Sequence, residues 1–132
     1  MAKLVHESGK RKSAIARATL KPGTGKVRIN NKMINVYGTK FMRLRLKEPL
    51  ILAEGVADEV DINVVVSGGG VSSQAEAARL AIARALAKYK KRLEKVFSNY
   101  DRHLLVADVR RKESAKPNRQ GKARARRQKS YR

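Results

Sequence analysis

The chain has 132 residues with 32 Lys or Arg and only 11 Asp or Glu, so its formal net charge is +21. The length suits one domain, and the lack of Cys excludes disulfides, thiolate metal sites and cysteine nucleophiles. Charge of this size opposes compaction unless a polyanion neutralises it, so nucleic acid is the first partner to consider. No apolar run approaches the ~20 residues of a membrane span, and the N-terminus lacks a secretory pattern, so we expect a cytoplasmic protein without a membrane partner.

The first elements predicted along the chain are two short strands. Residues 13–20 alternate small apolar and polar side chains, and residues 26–30 alternate charged with β-branched ones. Residues 22–25 (PGTG) between them are turn sequence. We therefore expect the two strands to pair as a hairpin.

The middle of the chain predicts one more short strand, one helix and one clear strand. Residues 33–36 suit a short strand after the Asn30-Asn31 turn, and residues 39–47 are weakly helical until Pro49 stops them. Residues 59–66 alternate Val or Ile with polar side chains, which is typical of a strand with one buried face. Leu104 and the residues after it are expected to close the core.

A long amphipathic helix is predicted after Gly68-Gly69-Gly70. Apolar side chains recur at steps of three or four from Val71 to Val96, forming one stripe on a 3.6-residue period. Ser72 or Ser73 can cap this helix, with Glu76 placed for a capping box.

The opposite face of the same helix is basic. Its members are Arg84, Lys88, Lys91 and Lys95. An ordinary solvated face and a stripe that touches phosphate both remain open interpretations.

The glycine loop before the helix has three interpretations. It is a tight strand-to-helix turn, or a helix N-terminus whose N–H groups bind an RNA phosphate, or a catalytic phosphate loop. It resembles the loop of small-molecule kinases of the galactokinase–homoserine kinase type. A phosphotransferase would also need a Mg²⁺ carboxylate and a base, which the acids at 54–61 could supply only by folding back. With two histidines at opposite ends of the chain, we expect no enzyme, no metal site and no cofactor.

The last 24 residues form a basic arm, which divides the chain into a globular domain (1–108) and a C-terminal arm (109–132). The arm has eleven basic residues and one acid. Because it is nearly devoid of apolar residues, we expect it to be disordered free in solution and to order on a polyanion. Extended, it reaches on the order of 80 Å. Charge alone does not choose between RNA and DNA, so a histone-like DNA-architectural protein remains an alternative.

Several separated motifs resemble those of one family, the universal small-subunit ribosomal protein nine family in its archaeal and eukaryotic branch. They are residues 9–17 (GKRKSAIAR), 21–26 (KPGTGK), 68–77 (GGGVSSQAEA), 82–86 (IARAL) and the C-terminal 128–132 (QKSYR). The resemblance implies an α+β fold, with a sheet of about four strands packed by helices and a left-handed βαβ crossover. Fold kinship with the kinases named above then explains the loop without implying catalysis.

The resemblance further implies a structural constituent of the small ribosomal subunit. Its globular part would bind rRNA in the subunit head beside neighbouring ribosomal proteins, and its arm would reach the peptidyl-site tRNA.

The predicted binding residues are of two kinds. Those for rRNA are Lys10, Arg11, Lys12, Arg17, Gly69, Gly70, Ser72, Ser73, Gln74, Arg84, Arg110, Arg111, Lys112, Arg119, Lys122, Arg124, Arg126, Arg127 and Lys129. Those for tRNA, implied by the resemblance, are Ser130, Tyr131 and Arg132.

Overall fold

A computed structural model describes residues 3–126, in which five strands form one mixed sheet packed by helices. The strands are β1 (Val5–Arg11), β2 (Ala14–Pro22), β3 (Val27–Ile29), β4 (Lys32–Met33) and β5 (Val60–Ser67). The helices are α1 (Lys40–Ala53), α2 (Gly55–Asp58), α3 (Val71–Tyr89) and α4 (Leu93–Tyr100), with 3₁₀ turns at Ile34–Val36 and Arg102–Leu104. The predicted α+β class is confirmed, with five strands where about four were expected.

The sheet has the strand order β1-β2-β5-β3-β4. β2 pairs antiparallel with β1 and with β5, while β3 runs parallel to β5. The connection between β3 and β5 passes through β4, α1 and α2, and so forms a βαβ crossover.

The core lies between one face of the sheet and the helices. Alternate residues of β2 and β5 are buried there, and α3 packs across β1 and β2. Small side chains let α3 come close. At Gly9 in β1, a Cβ would lie only 2.4 Å from the carbonyl oxygen of Ala77. Any larger residue at this position would push β1 away from α3.

The predicted hairpin between residues 13–20 and 26–30 is wrong. β2 instead forms a hairpin with β1, and β3 pairs with β5 on the far side of the central strand. The alternation in β1 gives little sign of a strand, because its core-facing positions after Val5 are Glu7, Gly9 and Arg11. β4 and a 3₁₀ turn occupy the predicted third strand at 33–36.

Pro49 does not end α1, as was predicted, but lies inside it. The proline deprives the carbonyl of Arg45 of its helical partner. The same turn, however, buries Leu46, Pro49 and Ala53 in the core, and this burial outweighs one missing hydrogen bond.

The predicted long helix is two helices. α3 ends at Tyr89, Lys90 is extended (φ −127°, ψ 105°), and α4 begins at Leu93. The break turns Leu93 and Phe97 into the core and leaves Val96 partly exposed. The strand predicted at 59–66 is confirmed as β5, and Leu104 is fully buried as expected.

Within residues 3–126, no helix is long and apolar enough to cross a membrane. The same residues contain no cluster of three or more His, Asp or Glu side chains able to hold a metal ion.

Candidate nucleic-acid interface

Three parts of the chain that are far apart in sequence meet at one end of the sheet: the β1–β2 turn, the start of α3 and the beginning of the arm. Five cations there surround an open groove of about 830 Å³, together with Ser13. We call these cations the arm-root cluster: Lys10, Lys12, Arg110, Arg111 and Lys112. An adjoining cleft of about 340 Å³ shares three of them and reaches Ser72 and Ser73 of α3. The structure thus brings together five of the ten predicted rRNA residues outside the arm: Lys10, Arg11, Lys12, Ser72 and Ser73.

Internal contacts hold the beginning of the arm against the domain. Arg11 forms an ion pair with Asp108, and Asp108 also binds Arg110 (Nη2 to Oδ2, 2.8 Å). Further along, Arg111 donates to the carbonyl oxygen of Lys12 at 3.2 Å. The side chain of Arg11 points to the helical side of the sheet, where it pairs with Asp108. Arg11 therefore holds the arm against the domain and is not free to bind a phosphate.

Lys10 and Lys12 keep their charge free for a partner. Both lysines have no carboxylate within 4 Å among the residues that the structure describes. Lys12 lies in the β1–β2 turn with a φ of 53°, in the left-handed region. Two free ammonium groups beside three arm cations create a positive field suited to phosphate.

The glycine loop is a tight turn packed on the β1–β2 turn. Gly68 (φ 77°) and Gly69 (φ 63°) are left-handed, and a Cβ at either would come within 3.0 Å of the backbone of Ser13 or Ala14. The Gln74 side chain closes the loop by donating to the carbonyl of Gly68 at 3.0 Å. The loop thereby fixes the start of α3 at the cleft.

The predicted serine cap is wrong. Gly70 is the N-cap, and no side chain caps α3. Glu76 is drawn instead to Arg45 of α1, which donates to it from Nη2 at 2.8 Å. That ion pair replaces the capping box expected at this position, and it leaves Ser72 and Ser73 facing the cleft.

Sequence reasoning missed the buried ion pairs beneath the cleft. Arg79 of α3 is only 2% exposed and donates to Glu48 of α1 (2.8 Å) and to Asp101 after α4 (3.1 Å). Its place on the apolar stripe, four residues after Ala75 and three before Ile82, was the available signal. The pairs join three helices under the interface.

Asp101 is held ionised by these contacts. Partial burial raises its pKa, but the hydrogen bonds from the His103 backbone N–H and from Arg79 outweigh burial and leave the pKa below its usual value. The carboxylate therefore stays available to Arg79 at neutral pH.

Arg84 and Arg17 lie away from the arm-root cluster. Arg84 donates to the carbonyl oxygens of Leu105 and Ser8, each at 3.0 Å, and so joins α3 to β1 and to the chain after α4. Lys88, on the same helix face, forms an ion pair with Glu7 at 2.9 Å. Arg17 stands exposed on the sheet face opposite the helices. A direct RNA contact by Arg84 and Arg17 stays a prediction.

The described part of the arm folds back on its single acid. Glu113 accepts from Lys116 (2.7 Å) and from Arg124 (2.8 Å), and these ion pairs keep the pKa of Glu113 below its usual value. The remaining predicted arm cations of this part are exposed: Arg119, Lys122 and Arg126. The predicted contacts of Arg127, Lys129, Ser130, Tyr131 and Arg132 lie outside the described residues.

The geometry argues against a phosphotransferase. The acids at 54–61 lie at or before the start of β5, whereas the glycine loop follows its end. Asp61, the acid nearest to the loop in sequence, is seven residues before Gly68, which is about 23 Å along the strand. These carboxylates therefore cannot hold Mg²⁺ at the loop.

A small α+β domain with cations clustered at one end of its sheet and a strongly basic arm has the features of the class of nucleic-acid-binding proteins. Comparison with known proteins gives the family. The family model described as ribosomal protein S9/S16 matches residues 9–132, and the chain belongs to this family.

Its curated relatives are similar over almost their whole length. The chain is 48% identical to the small ribosomal subunit protein uS9 of Methanococcus vannielii, covering 98% of this chain and 99% of the relative. It is 47% identical, with the same coverage, to the proteins of that name from the C5 and C7 strains of Methanococcus maripaludis. The predicted family and its archaeal-type branch are confirmed.

Proposed function

We propose that the arm-root cluster and the basic arm bind small-subunit rRNA, and that the C-terminal residues reach the peptidyl-site tRNA. As a member of its family the chain is a structural, non-enzymatic constituent of the small ribosomal subunit, located in the cytoplasmic ribosome with rRNA and other ribosomal proteins as partners. The proposal concerns which residues of this chain contact the rRNA and the tRNA.

One observation supports the proposed binding of rRNA. Five cations from distant parts of the sequence surround one groove, and the arm begins there. Their charges would repel one another in an isolated protein, and they are compensated when phosphates enter the groove. Binding would release counterions from the RNA and order the arm along it. The division into a domain of residues 1–108 and an arm of 109–132 belongs to this proposal.

The experiment for this half is a salt titration of binding to a fragment of small-subunit head rRNA. The logarithm of the association constant should fall against the logarithm of salt concentration with a slope of several units, at ~0.7–0.9 per neutralised phosphate. The Lys12→Ser/Arg111→Ser variant should lower the slope by about 1.5, whereas Lys40→Ser/Lys47→Ser on α1 should leave it unchanged. A slope near zero for the intact chain contradicts the proposal.

The tRNA half rests on the charge and reach of the arm and on the resemblance of residues 128–132 to the family's C-terminus. Arg offers paired donors to a phosphate, and Tyr131 is the one aromatic residue in the sequence of the arm. Because the arm extends on the order of 80 Å, its tip can lie well outside the domain's own contacts.

Deleting Tyr131 and Arg132 should leave incorporation into subunits intact and weaken the retention of tRNA in the peptidyl site. The measurement compares tRNA dissociation rates from subunits carrying the full and the shortened chain. Replacing Lys129 by Arg, which retains charge and length, serves as the control. Unchanged dissociation, or a failure of the shortened chain to assemble, would refute this division of roles.

A further inference from the structure

The sheet has a second face, opposite the helices, that no element within residues 3–126 covers. Along β2 and β5 the side chains alternate between the buried core and this open face. Most side chains on the open side of the three central strands are polar, among them Thr19, Asn63 and Arg28, and the apolar exceptions on β2 and β5 are Ile15 and Val65. A half-covered sheet of this kind has one surface left for a partner.

The open face contains a groove of about 420 Å³ with three cations on it. Lys21, Lys26 and Arg28 line the groove together with Thr19, Asn31, Asp61, Ile62 and Asn63. Asp61, its one acid, accepts the backbone N–H groups of Thr24 (2.9 Å) and Lys26 (3.0 Å) and is committed to that turn. With three cations against this one carboxylate, the net charge of the groove is positive, which is complementary to a polyanion.

The polar groups between the cations suit the sugar-phosphate backbone. Arg17 on β2 stands opposite Val65 of β5, and Arg28 on β3 stands opposite Asn63. The two arginines therefore flank the central strand, about 12 Å apart at their Cα atoms, across two strand spacings and two residues along β5. Asn63 lies between them on β5 with the apolar Val65 on the same face, and Thr19 lies on β2 between Arg17 and Lys21. The amide of Asn63 and the hydroxyl of Thr19 can hydrogen-bond ribose 2′-hydroxyls.

The strand positions of the open face offer no aromatic ring from Phe, Tyr or Trp for stacking on bases. Proteins that bind single-stranded RNA through a sheet depend on such rings, whereas duplex RNA is recognised by shape through its 2′-hydroxyls and phosphates. The cations, hydroxyl and amide groups of the groove therefore suit duplex RNA.

The open face is continuous with the arm-root cluster. Lys10 lies on the open side of β1 and also lines the arm-root groove. Its partner in the next strand is Ile15, two residues before Arg17 on the same face. Cations thus extend from the end of the sheet towards the groove at Lys21 and Arg28.

We infer that the open sheet face is a second RNA-binding surface, which holds the backbone of an rRNA duplex in the groove lined by Lys21, Lys26, Arg28, Thr19 and Asn63. The inference rests on the proposed rRNA-binding function and specifies both an additional surface and the form of RNA it takes.

The test measures the binding of three probes: an RNA hairpin with a 16-base-pair stem, an unpaired RNA of equal length, and a DNA hairpin of the same sequence. Lys21→Ser/Arg28→Ser should lower the salt slope for the RNA hairpin by about 1.5, at ~0.7–0.9 per lost phosphate contact. It should weaken binding at least tenfold at low salt, with a much smaller loss for unpaired RNA. The control Lys40→Ser/Lys47→Ser removes two cations from α1 and should change nothing. Thr19→Val/Asn63→Leu should weaken the RNA hairpin more than the DNA hairpin.

The outcomes separate this inference from the proposed function. If Lys12→Ser/Arg111→Ser lowers the slope but Lys21→Ser/Arg28→Ser does not, rRNA binding stands and the sheet face is not part of it. If neither does, the proposed function fails as well. Equal losses for paired and unpaired RNA overturn the duplex assignment. Intact RNA binding with failed incorporation into subunits would mean that the face binds a protein instead. Unfolding midpoints in urea verify that each variant is folded.

Discussion

Replacing Arg79 with Ala should lower the free energy of unfolding by about 3 kcal/mol. The guanidinium lies between Glu48 and Asp101 with only 3% of its side chain exposed. Its removal takes the closest counter-charge from both carboxylates, so that Asp101 keeps only the His103 backbone N–H (3.0 Å) and Glu48 keeps only the longer contact with Arg45 (3.4 Å). We take the lower end of the range for broken buried pairs because the Asp101 side chain keeps 34% of its surface in water.

Urea unfolding of the isolated chain measures this effect. The control is Arg102→Ala, an exposed arginine on the neighbouring turn, for which we expect a change within about 0.5 kcal/mol. A triple change of Arg79, Glu48 and Asp101 to uncharged residues should recover much of the loss, since no charge is then stranded. A loss below about 1 kcal/mol in Arg79→Ala would mean that the buried ion pairs do not hold the helices together.

Removing the arm, residues 109–132, should reduce affinity for head rRNA by at least about a hundredfold at physiological salt while the domain remains folded. The arm carries eleven of the 32 basic residues. If five of them contact phosphates, the salt slope should fall by about 4. The last regular element ends at Leu104, so the truncation removes no helix or strand of the described fold.

A matched control distinguishes charge from sequence. An arm with the same composition in scrambled order keeps the non-specific attraction, and it should restore most of the salt slope while failing to restore incorporation into subunits. An unchanged slope on truncation would show that the domain alone supplies the RNA contacts.

The parts of the fold with strong periodicity were predictable from the sequence. β5 has Val or Ile at every second position from Val60 to Val66, and the stripe that begins at Val71 follows the helical period. The break at Lys90 was not predictable, because Leu93 continues the same stripe on the far side of it.

Strand pairing was the weakest prediction, for a physical reason. β1 places Gly9 and two charged residues towards the helices. They fit there because of contacts with residues distant in sequence, such as Ala77 and Asp108, which the local pattern does not show. Once β1 is taken as the partner of β2, β3 is left to pair with β5. The turn sequence at 22–25 does not show that β1 and β3 are alternative partners for β2.

Only part of the candidate site was predictable from the sequence. The cations of the arm and the β1–β2 turn were evident from charge density alone. Their convergence around one groove, the fastening of the arm by Arg11 and Asp108, and the basic groove on the open sheet face depend on tertiary neighbours. Charge counts indicate the partner, and only the fold indicates which cations remain free to meet it.

The central claim is that this chain is built into the small ribosomal subunit through rRNA contacts at the arm-root cluster and along the arm. The most direct measurement is co-sedimentation of the tagged chain with small subunits after a high-salt wash, quantified per subunit. We expect one copy per subunit for the intact chain, and a large loss for the chain without residues 109–132. A chain that washes off completely, or an armless chain retained as well as the intact one, would contradict it.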